Sequence, residues 1–254
     1  MFKAEFDKTS QGAASKLSML NTNPSGYFVL SMLAGSFIGI GVLLAFTIGG
    51  QLGDAPYAKV VMGLSFGVAL SLVVMAGGEL FTGNNMVMAM GVMNRTVTLK
   101  DCIKLWVICW IGNLCGAIVL ALLYNLTGLG AGPAGAFMAA GAFAKMSAGP
   151  VQLLARGILC NFLVCLAVWS AGRATSDAGK LIMIFWCLFA FITTGFEHSI
   201  ANMTLMTVAL LNPMEQAVSI GGYFYNLLIV TLGNIIGGVV FVALPYYAAS
   251  RKDS

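Results

Sequence analysis

The sequence is poor in charged residues and in histidine, and these two absences exclude most soluble proteins and several metalloprotein classes. Only 9% of its 254 residues are charged, whereas 59% are hydrophobic and the mean hydropathy is +0.91. Soluble domains carry roughly 25% charged residues, so water cannot be the main solvent of this surface. His198 is the single histidine, which excludes a bis-histidine haem and a multi-histidine zinc site.

Cysteine motifs and nucleotide-binding glycine patterns are also absent. The six cysteines lie inside apolar stretches and form no CxxC pair, so we expect neither a disulfide framework nor a thiolate metal site. The net charge of +4 is too small and too dispersed to indicate nucleic acid binding. We therefore expect no cofactor and no nucleic acid partner.

Residues 1–23 are polar and lack the apolar core of a cleaved signal peptide, so we expect this leader to be retained. Its apolar residues recur at helical spacing. This pattern leaves two interpretations open, an amphipathic helix lying on the membrane or over a pore mouth, and a solvated leader.

Long apolar runs predict six membrane spans in an all-α membrane protein, at about 26–50, 57–93, 101–127, 150–172, 180–211 and 219–248. The second and fifth are too long for one crossing, and polar residues interrupt them at 77–85 and 195–202. We expect one transmembrane domain over 24–248, with halves at about 24–127 and 150–248, and a tail over 249–254.

The basic residues predict the orientation in the bilayer. With the N-terminus inside, ten basic residues fall on the inner side and three on the outer side, a strong positive-inside bias. The inner set is Lys3, Lys8, Lys16, Arg95, Lys100, Lys104, Arg173, Lys180, Arg251 and Lys252, and the outer set is Lys59, Lys145 and Arg156. We therefore expect a multi-pass protein of the inner (plasma) membrane with both termini cytoplasmic.

The two halves resemble each other, which predicts an inverted repeat. Aligning residues 85–86 with 202–203 pairs Gly78 with Gly195 and Thr82 with Ser199, at an offset of 117 residues. A later Gly-Asn-x-x-Gly motif recurs at 112–116 and 233–237, at an offset of 121. Because each half has three spans, the second must insert upside down relative to the first. Broken helices at matching positions of inverted halves indicate a transport site near the bilayer midplane.

Ionisable residues at membrane depth are the candidates for function, because burying a charge in lipid costs a few kcal/mol. Glu79, Glu197 and His198 lie at the two interruptions, and Lys145 lies near the outer side. The two glutamates are interpreted as N-caps of half-helices, with tuning of His198 as an alternative for Glu197. For Arg156 we expect its charge to reach the lipid headgroups.

The residues at these positions are similar to the signatures of the formate/nitrite transporter family. The similarity extends from about Pro24 to Tyr247 and rests on Glu79–Gly83, Leu159–Asn161 and especially Gly195–Met203. The adjoining Trp186–Leu188 and Asn202–Leu205 resemble the nitrite branch most. The resemblance implies an aquaporin-like inverted 3+3 repeat with broken second and fifth helices, assembled as a homopentamer with one pore in each protomer.

The resemblance also implies roles for individual residues. His198 would be the central pore histidine with Thr82 beside it, Asn161 and Asn234 would lie in or near the pore, and Lys145 near the outer vestibule. Apolar constrictions would fall at Leu70, Leu80 and Phe191 on one side of the histidine and at Phe66, Phe81 and Val164 on the other. Lys16, near the end of the leader, is a candidate for gating.

These features favour a channel for small monovalent anions, most of all nitrite, with formate and hydrosulfide as close alternatives. His198 could protonate the anion, so that a neutral acid crosses the apolar constriction. It could instead stay neutral and donate a hydrogen bond to a charged anion. A proton-coupled carrier of the same anions fits the same residues. A membrane enzyme or redox subunit is disfavoured by the missing cofactor motifs, and a water pore by the absence of paired Asn-Pro-Ala turns.

Overall fold

The computed structural model describes residues 2–251, and within that range the regular structure is helical. Met1 and residues 252–254 lie outside it, so the predicted tail is described only in part and Lys252 not at all. We number the helices α1 (Lys3–Thr22), α2 (Pro24–Leu52), α3 (Ala58–Gly77), α4 (Phe81–Met93), α5 (Leu99–Leu126), α6 (Pro133–Met146), α7 (Pro150–Arg173), α8 (Asp177–Thr194), α9 (Ser199–Leu211) and α10 (Ile220–Ser250).

Six of the described helices are long and apolar enough to cross a membrane: α2, α3, α5, α7, α8 and α10. The protein is therefore a multi-pass membrane protein. Four predicted spans agree with α2, α5, α7 and α10 to within a few residues, whereas the second and fifth each cover a spanning helix and the shorter helix after its break. Two features were not predicted. The first is α6, a separate helix between the halves, and the second is a pair of π-helical turns, Val73–Gly77 in α3 and Val239–Ala243 in α10.

Both predicted interruptions are present as helix breaks. α3 and α4 are separated by residues 78–80, and α8 and α9 by residues 195–198. Gly77 and Gly195 stand at the ends of α3 and α8 with φ of 86° and 80°. Only glycine adopts this left-handed conformation without a steric penalty, so these two residues end the helices at matching places.

Local side chains fix several helix starts. The Asn23 side chain accepts the Gly26 N–H at the start of α2, where Pro24 already supplies a helical φ. Thr98 and Asp101 form a reciprocal capping box at the start of α5. These caps pair backbone donors of the first helical turn that have no partner within the helix.

The repeated Gly-Asn-x-x-Gly motif brings the first and third spans of each half into close contact. A Cβ placed on Gly116 of α5 would lie 1.8 Å from the carbonyl oxygen of Met32 in α2. In the second half, a Cβ on Gly237 of α10 would lie 2.3 Å from the carbonyl oxygen of Ile158 in α7. Small residues let helix backbones approach in lipid, and here they hold the helices that surround each break.

The leader forms α1, which packs against the C-terminal part of α10 and against α4. The Phe2 and Phe6 rings contact the Tyr246 and Tyr247 rings, with centroid separations of 5.4 and 5.6 Å. Ser10 accepts a hydrogen bond from the Asn94 side chain at 2.8 Å. These contacts place the polar leader beside α4, the second half-helix of the first break.

Candidate functional site

The two helix breaks meet at a hydrogen bond between the halves. Thr82 Oγ1 lies 3.0 Å from His198 Nε2, and both side chains are buried. The other ring nitrogen, Nδ1, accepts the Ala201 N–H at 3.1 Å. Because a backbone amide can only donate, this bond places the proton of a neutral imidazole on Nε2. The Nε2–H therefore points toward the neighbouring half-helix.

An asparagine from the third span of each half holds each break open. Asn113 Oδ1 accepts the Phe81 N–H at 3.0 Å, and Asn234 Oδ1 accepts the Ser199 N–H at 2.9 Å. Each of these amides also donates to the carbonyl two residues earlier in the break, at 2.9 and 3.0 Å. Exposed donors and acceptors of the half-helix ends are thus paired inside the protein.

These matched bonds correct the register of the repeat. Equivalent positions at the breaks are 118 residues apart, so that Gly77 corresponds to Gly195 and not Gly78 to Gly195. For the same reason Thr82 does not correspond to Ser199. The counterpart of His198 is Leu80, so only one of the two breaks carries an imidazole.

The carboxylate of Glu197 is held by a cation and an amide. Lys145 Nζ, from α6, lies 2.8 Å from Glu197 Oε1, and Asn202 Nδ2 donates to Oε2 at 2.7 Å. Asn226 of α10 joins the same cluster by accepting from Asn202 at 2.9 Å.

The first break carries a matching cluster. Lys16 Nζ, from α1, lies 2.6 Å from Glu79 Oε1, and Asn84 Nδ2 donates to Oε2 at 2.9 Å. The Tyr27 hydroxyl donates to the same oxygen at 3.2 Å. The N-cap interpretation of both glutamates is wrong, because their oxygens bind side chains while asparagines cap the half-helices.

Asn161 and Asn234 bind backbone groups between the halves. Asn161 Nδ2 lies 2.6 Å from the Asn234 carbonyl, 3.0 Å from Asn85 Oδ1 and 3.2 Å from the Thr82 carbonyl. Both side chains are fully buried, and the cavities described below are lined by other residues. Their contacts give them the task of positioning the breaks, and direct contact with a substrate stays a prediction.

A cavity of about 340 Å³ leads to His198 from the side of α6, and we name it the Lys145 cavity. Phe66 and Phe191 line it and contact each other edge to face, with centroids 5.5 Å apart. The Phe191 ring also stacks on the imidazole at 5.9 Å. The two phenylalanines therefore lie on the same side of His198, and the expected grouping that separated them is wrong. Cations at its wall are Lys59, Lys145 and Arg156.

Beyond the phenylalanines the passage narrows to a cavity of about 10 Å³. Leu70, Leu80, Val164 and His198 line it together with the two phenylalanines. That volume holds about one water molecule, so the imidazole faces an almost dry apolar constriction. Phe81 packs against Trp106 instead, with centroids 6.4 Å apart.

A further cavity of about 200 Å³ lies between α1, α4 and α7, and we name it the Lys16 cavity. Lys8, Lys16 and Arg173 line it together with Glu5. The described residues contain no group of three histidine, cysteine or acidic side chains placed to hold a metal ion.

Several residues of the site were not predicted. Tyr27, Asn84, Asn113 and Asn226 complete the clusters around the breaks. One signal was available in the sequence, since each glutamate is followed by an asparagine five residues later. The partners from other helices have no comparable local signal.

A cation-lined cavity that leads to a dry constriction between two helix breaks is typical of a membrane channel or transporter for anions. The sequence comparisons agree with this class. The family model described as formate/nitrite transporter matches residues 3–248, and the chain belongs to that family. Its members are transporters and channels, which excludes the enzyme alternative.

Individual relatives resemble the whole chain. The Salmonella typhimurium protein named nitrite transporter NirC is 41% identical over 257 residues, which cover 100% of this chain and 94% of the relative. A solved FNT family ion channel superposes with a TM-score of 0.94 at 39% identity, covering 98% of this chain and 100% of that one. A pentameric formate channel with formate bound gives a TM-score of 0.78 at 31% identity, covering 89% and 96%.

Proposed function

We propose that this chain is a nitrite channel of the inner (plasma) membrane, with formate and hydrosulfide as alternative substrates. The observation that carries the proposal is the single imidazole hydrogen-bonded to Thr82 at the inner end of the cation-lined Lys145 cavity. Nitrite is preferred because the relative named a nitrite transporter is similar over the full chain. The positive-inside bias supports cytoplasmic termini, with the Lys16 cavity facing the cytoplasm.

A homopentamer with one pore in each protomer is proposed from the similar structure titled a pentameric formate channel. The exposed apolar helix faces of this chain, such as the face of α8 that carries Ile182 and Trp186, would then be divided between lipid and neighbouring protomers.

For the passage itself we propose that the anion replaces Thr82 Oγ1 as the acceptor of the Nε2–H of a neutral His198. A bare anion in an apolar slit faces a desolvation cost of several kcal/mol, and a positioned donor lowers it. A doubly protonated imidazole would direct Nδ1–H against the Ala201 N–H, which already donates to that nitrogen at 3.1 Å. This contact favours the neutral donor over an imidazolium that hands its proton to the anion.

A panel of flux measurements tests both the proposed substrate and the proposed role of His198. Nitrite, formate and hydrosulfide uptake into proteoliposomes is measured across pH for the wild type and for His198→Asn, in which the amide keeps a donor N–H. We expect nitrite to be carried, and the variant to keep the pH profile of the wild type. Loss of the pH dependence in the variant would instead assign a proton-transfer role to the imidazole.

The second candidate is a proton-coupled carrier of the same anions, favoured by the presence of one titratable imidazole in the passage. A pH gradient would then drive nitrite above its equilibrium concentration. Flux that only dissipates the nitrite gradient identifies the channel.

Lys16 is proposed to link the leader to conduction. Its ion pair with Glu79 makes α1 a source of charge at the first break. Displacement of α1 would leave the carboxylate unpaired beside the route of an anion, and a negative charge there would slow anion entry.

A further inference from the structure

We propose that Arg156 is a capture residue for planar two-oxygen anions in the Lys145 cavity, and that it favours nitrite and formate over anions with a single acceptor atom before they reach His198. This inference rests on the proposed function of the chain as a nitrite or formate channel. It assigns to Arg156 a role different from the headgroup contact expected from the sequence, because the residue lines the cavity that ends at the imidazole.

The charges of the Lys145 cavity do not balance. Three cations, Lys59, Lys145 and Arg156, line it with one carboxylate, that of Glu197. Lys145 is paired with this carboxylate at 2.8 Å. Among residues 2–251, neither Lys59 nor Arg156 has a carboxylate within 4.0 Å. Two positive charges are therefore left to attract an incoming anion.

More of the positive charge in the Lys16 cavity is balanced by carboxylates in the described part of the chain. Lys16 is paired with Glu79 at 2.6 Å, and Arg173 lies 4.0 Å from Glu5. Lys8 donates to a backbone carbonyl of α7 at 3.1 Å. Two of these three cations lie beside carboxylates and the third beside a neutral carbonyl, so this cavity keeps one unbalanced positive charge whereas the Lys145 cavity keeps two.

The inverted repeat shows that the guanidinium belongs to one half only. The Arg156 carbonyl accepts the Glu197 N–H at 3.2 Å, and the Leu30 carbonyl accepts the Glu79 N–H at 3.1 Å. Leu30 and Arg156 therefore occupy equivalent places beside the two breaks. This backbone bond also fixes the position of the Arg156 backbone relative to the break that contains His198.

The chemistry of guanidinium explains why this position discriminates between anions. Its planar fork donates two parallel hydrogen bonds to a pair of oxygens, a geometry that a lysine ammonium does not reproduce. Nitrite and formate are planar and present two oxygens, whereas hydrosulfide presents one sulfur. The Arg156 side chain makes no hydrogen bond with other described residues, so its donors are open to a ligand.

The test separates charge from fork geometry with two variants at the same position. Arg156→Lys keeps the positive charge but loses the planar pair of N–H donors, and Arg156→Gln loses both the charge and that pair. Initial rates of nitrite, formate and hydrosulfide transport are measured against concentration in right-side-out and inside-out membrane vesicles. We expect Arg156→Lys to raise KM for nitrite and formate by roughly three- to fivefold, the equivalent of one exposed charge-assisted contact. The KM for hydrosulfide and the maximal rates should stay unchanged, and the effect should appear in one vesicle orientation only.

Lys59→Gln is the matched control, because it removes an unpaired charge of the same cavity without removing a fork. We expect it to raise KM for all three anions alike at low ionic strength and to have no effect at high salt. The elution volume in size-exclusion chromatography and the thermal unfolding curve of each variant establish that it is folded. Equal KM values for wild type and Arg156→Lys in both vesicle orientations would overturn the inference. If the wild type carried neither nitrite nor formate, the proposed function itself would fail.

Discussion

The Lys145–Glu197 ion pair gives the sharpest test of how the second break is stabilised. We expect Glu197→Gln to lower thermal stability, because it leaves the Lys145 ammonium without its counter-charge while the new amide occupies nearly the same volume. The glutamine can still accept from Asn202, which donates at 2.7 Å in the wild type. The loss is therefore assigned to charge and not to packing.

The magnitude follows from the exposure of the two partners. Breaking a buried pair by removing one member costs about 3–5 kcal/mol. The Glu197 side chain is 3% exposed, but that of Lys145 is 20% exposed and borders a cavity, so water can solvate part of the remaining charge. We expect about 2–3 kcal/mol, which corresponds to a fall in Tm of roughly 4–12 °C for a domain of this size.

A double-mutant cycle measures the coupling directly. Lys145→Met alone should also destabilise the protein, since it leaves a buried carboxylate, and the Lys145→Met/Glu197→Gln double variant should be more stable than either single variant. Glu79→Gln is the matched variant at the first break. Its effect should be smaller, because Lys16 and Glu79 are 26% and 12% exposed. Additive Tm changes, or a single Glu197→Gln variant as stable as the wild type, would refute the reasoning.

Two further predictions concern the break geometry and the leader. We expect Gly195→Ala to lower the free energy of unfolding by about 1–2 kcal/mol, because φ at this residue is 80° and an alanine there is strained even though no heavy atom lies within 4 Å of the new Cβ. Gly172→Ala is the control, because Gly172 lies in equally open space at a helical position, and we expect it to cause no loss of stability. Deleting residues 1–20 removes Lys16, and we expect it to lower anion flux by about two- to tenfold and to change the ratio of fluxes at pH ~5 and ~7.5. A deletion variant with the same ratio as the wild type would reject a gating role of the leader.

The fold was predictable because hydropathy and polar interruptions act over short stretches of chain. The apolar runs located the spans, and the polar residues within two of them located the breaks. α6 was not predicted as a separate helix because its alanine- and glycine-rich sequence is apolar but too short to cross a membrane. The register of the repeat was one residue off because matching the Asn-Met pairs placed Asn85 opposite Asn202, whereas the structure places Asn84 there.

The site residues could be predicted from the sequence only where they lie at the breaks and match a family motif. The resemblance to a known family pointed to Thr82 and His198, and the structure brings them to 3.0 Å. The ion pairs could not be predicted, because Lys16 and Glu79 are 63 residues apart and Lys145 and Glu197 are 52 residues apart. Residues so far apart in sequence come together only when whole helices pack against each other, and local sequence patterns carry no information about that packing.

The exchange of leucine for histidine between equivalent positions of the two halves has a consequence for ancestry. An assembly of two identical copies of either half would place either two leucines or two imidazoles across the constriction. Neither arrangement has one donor facing an apolar wall. The present passage, with Leu80 opposite His198 in the repeat, therefore requires halves of different sequence, so that the divergence of the two halves preceded or accompanied the appearance of its single imidazole.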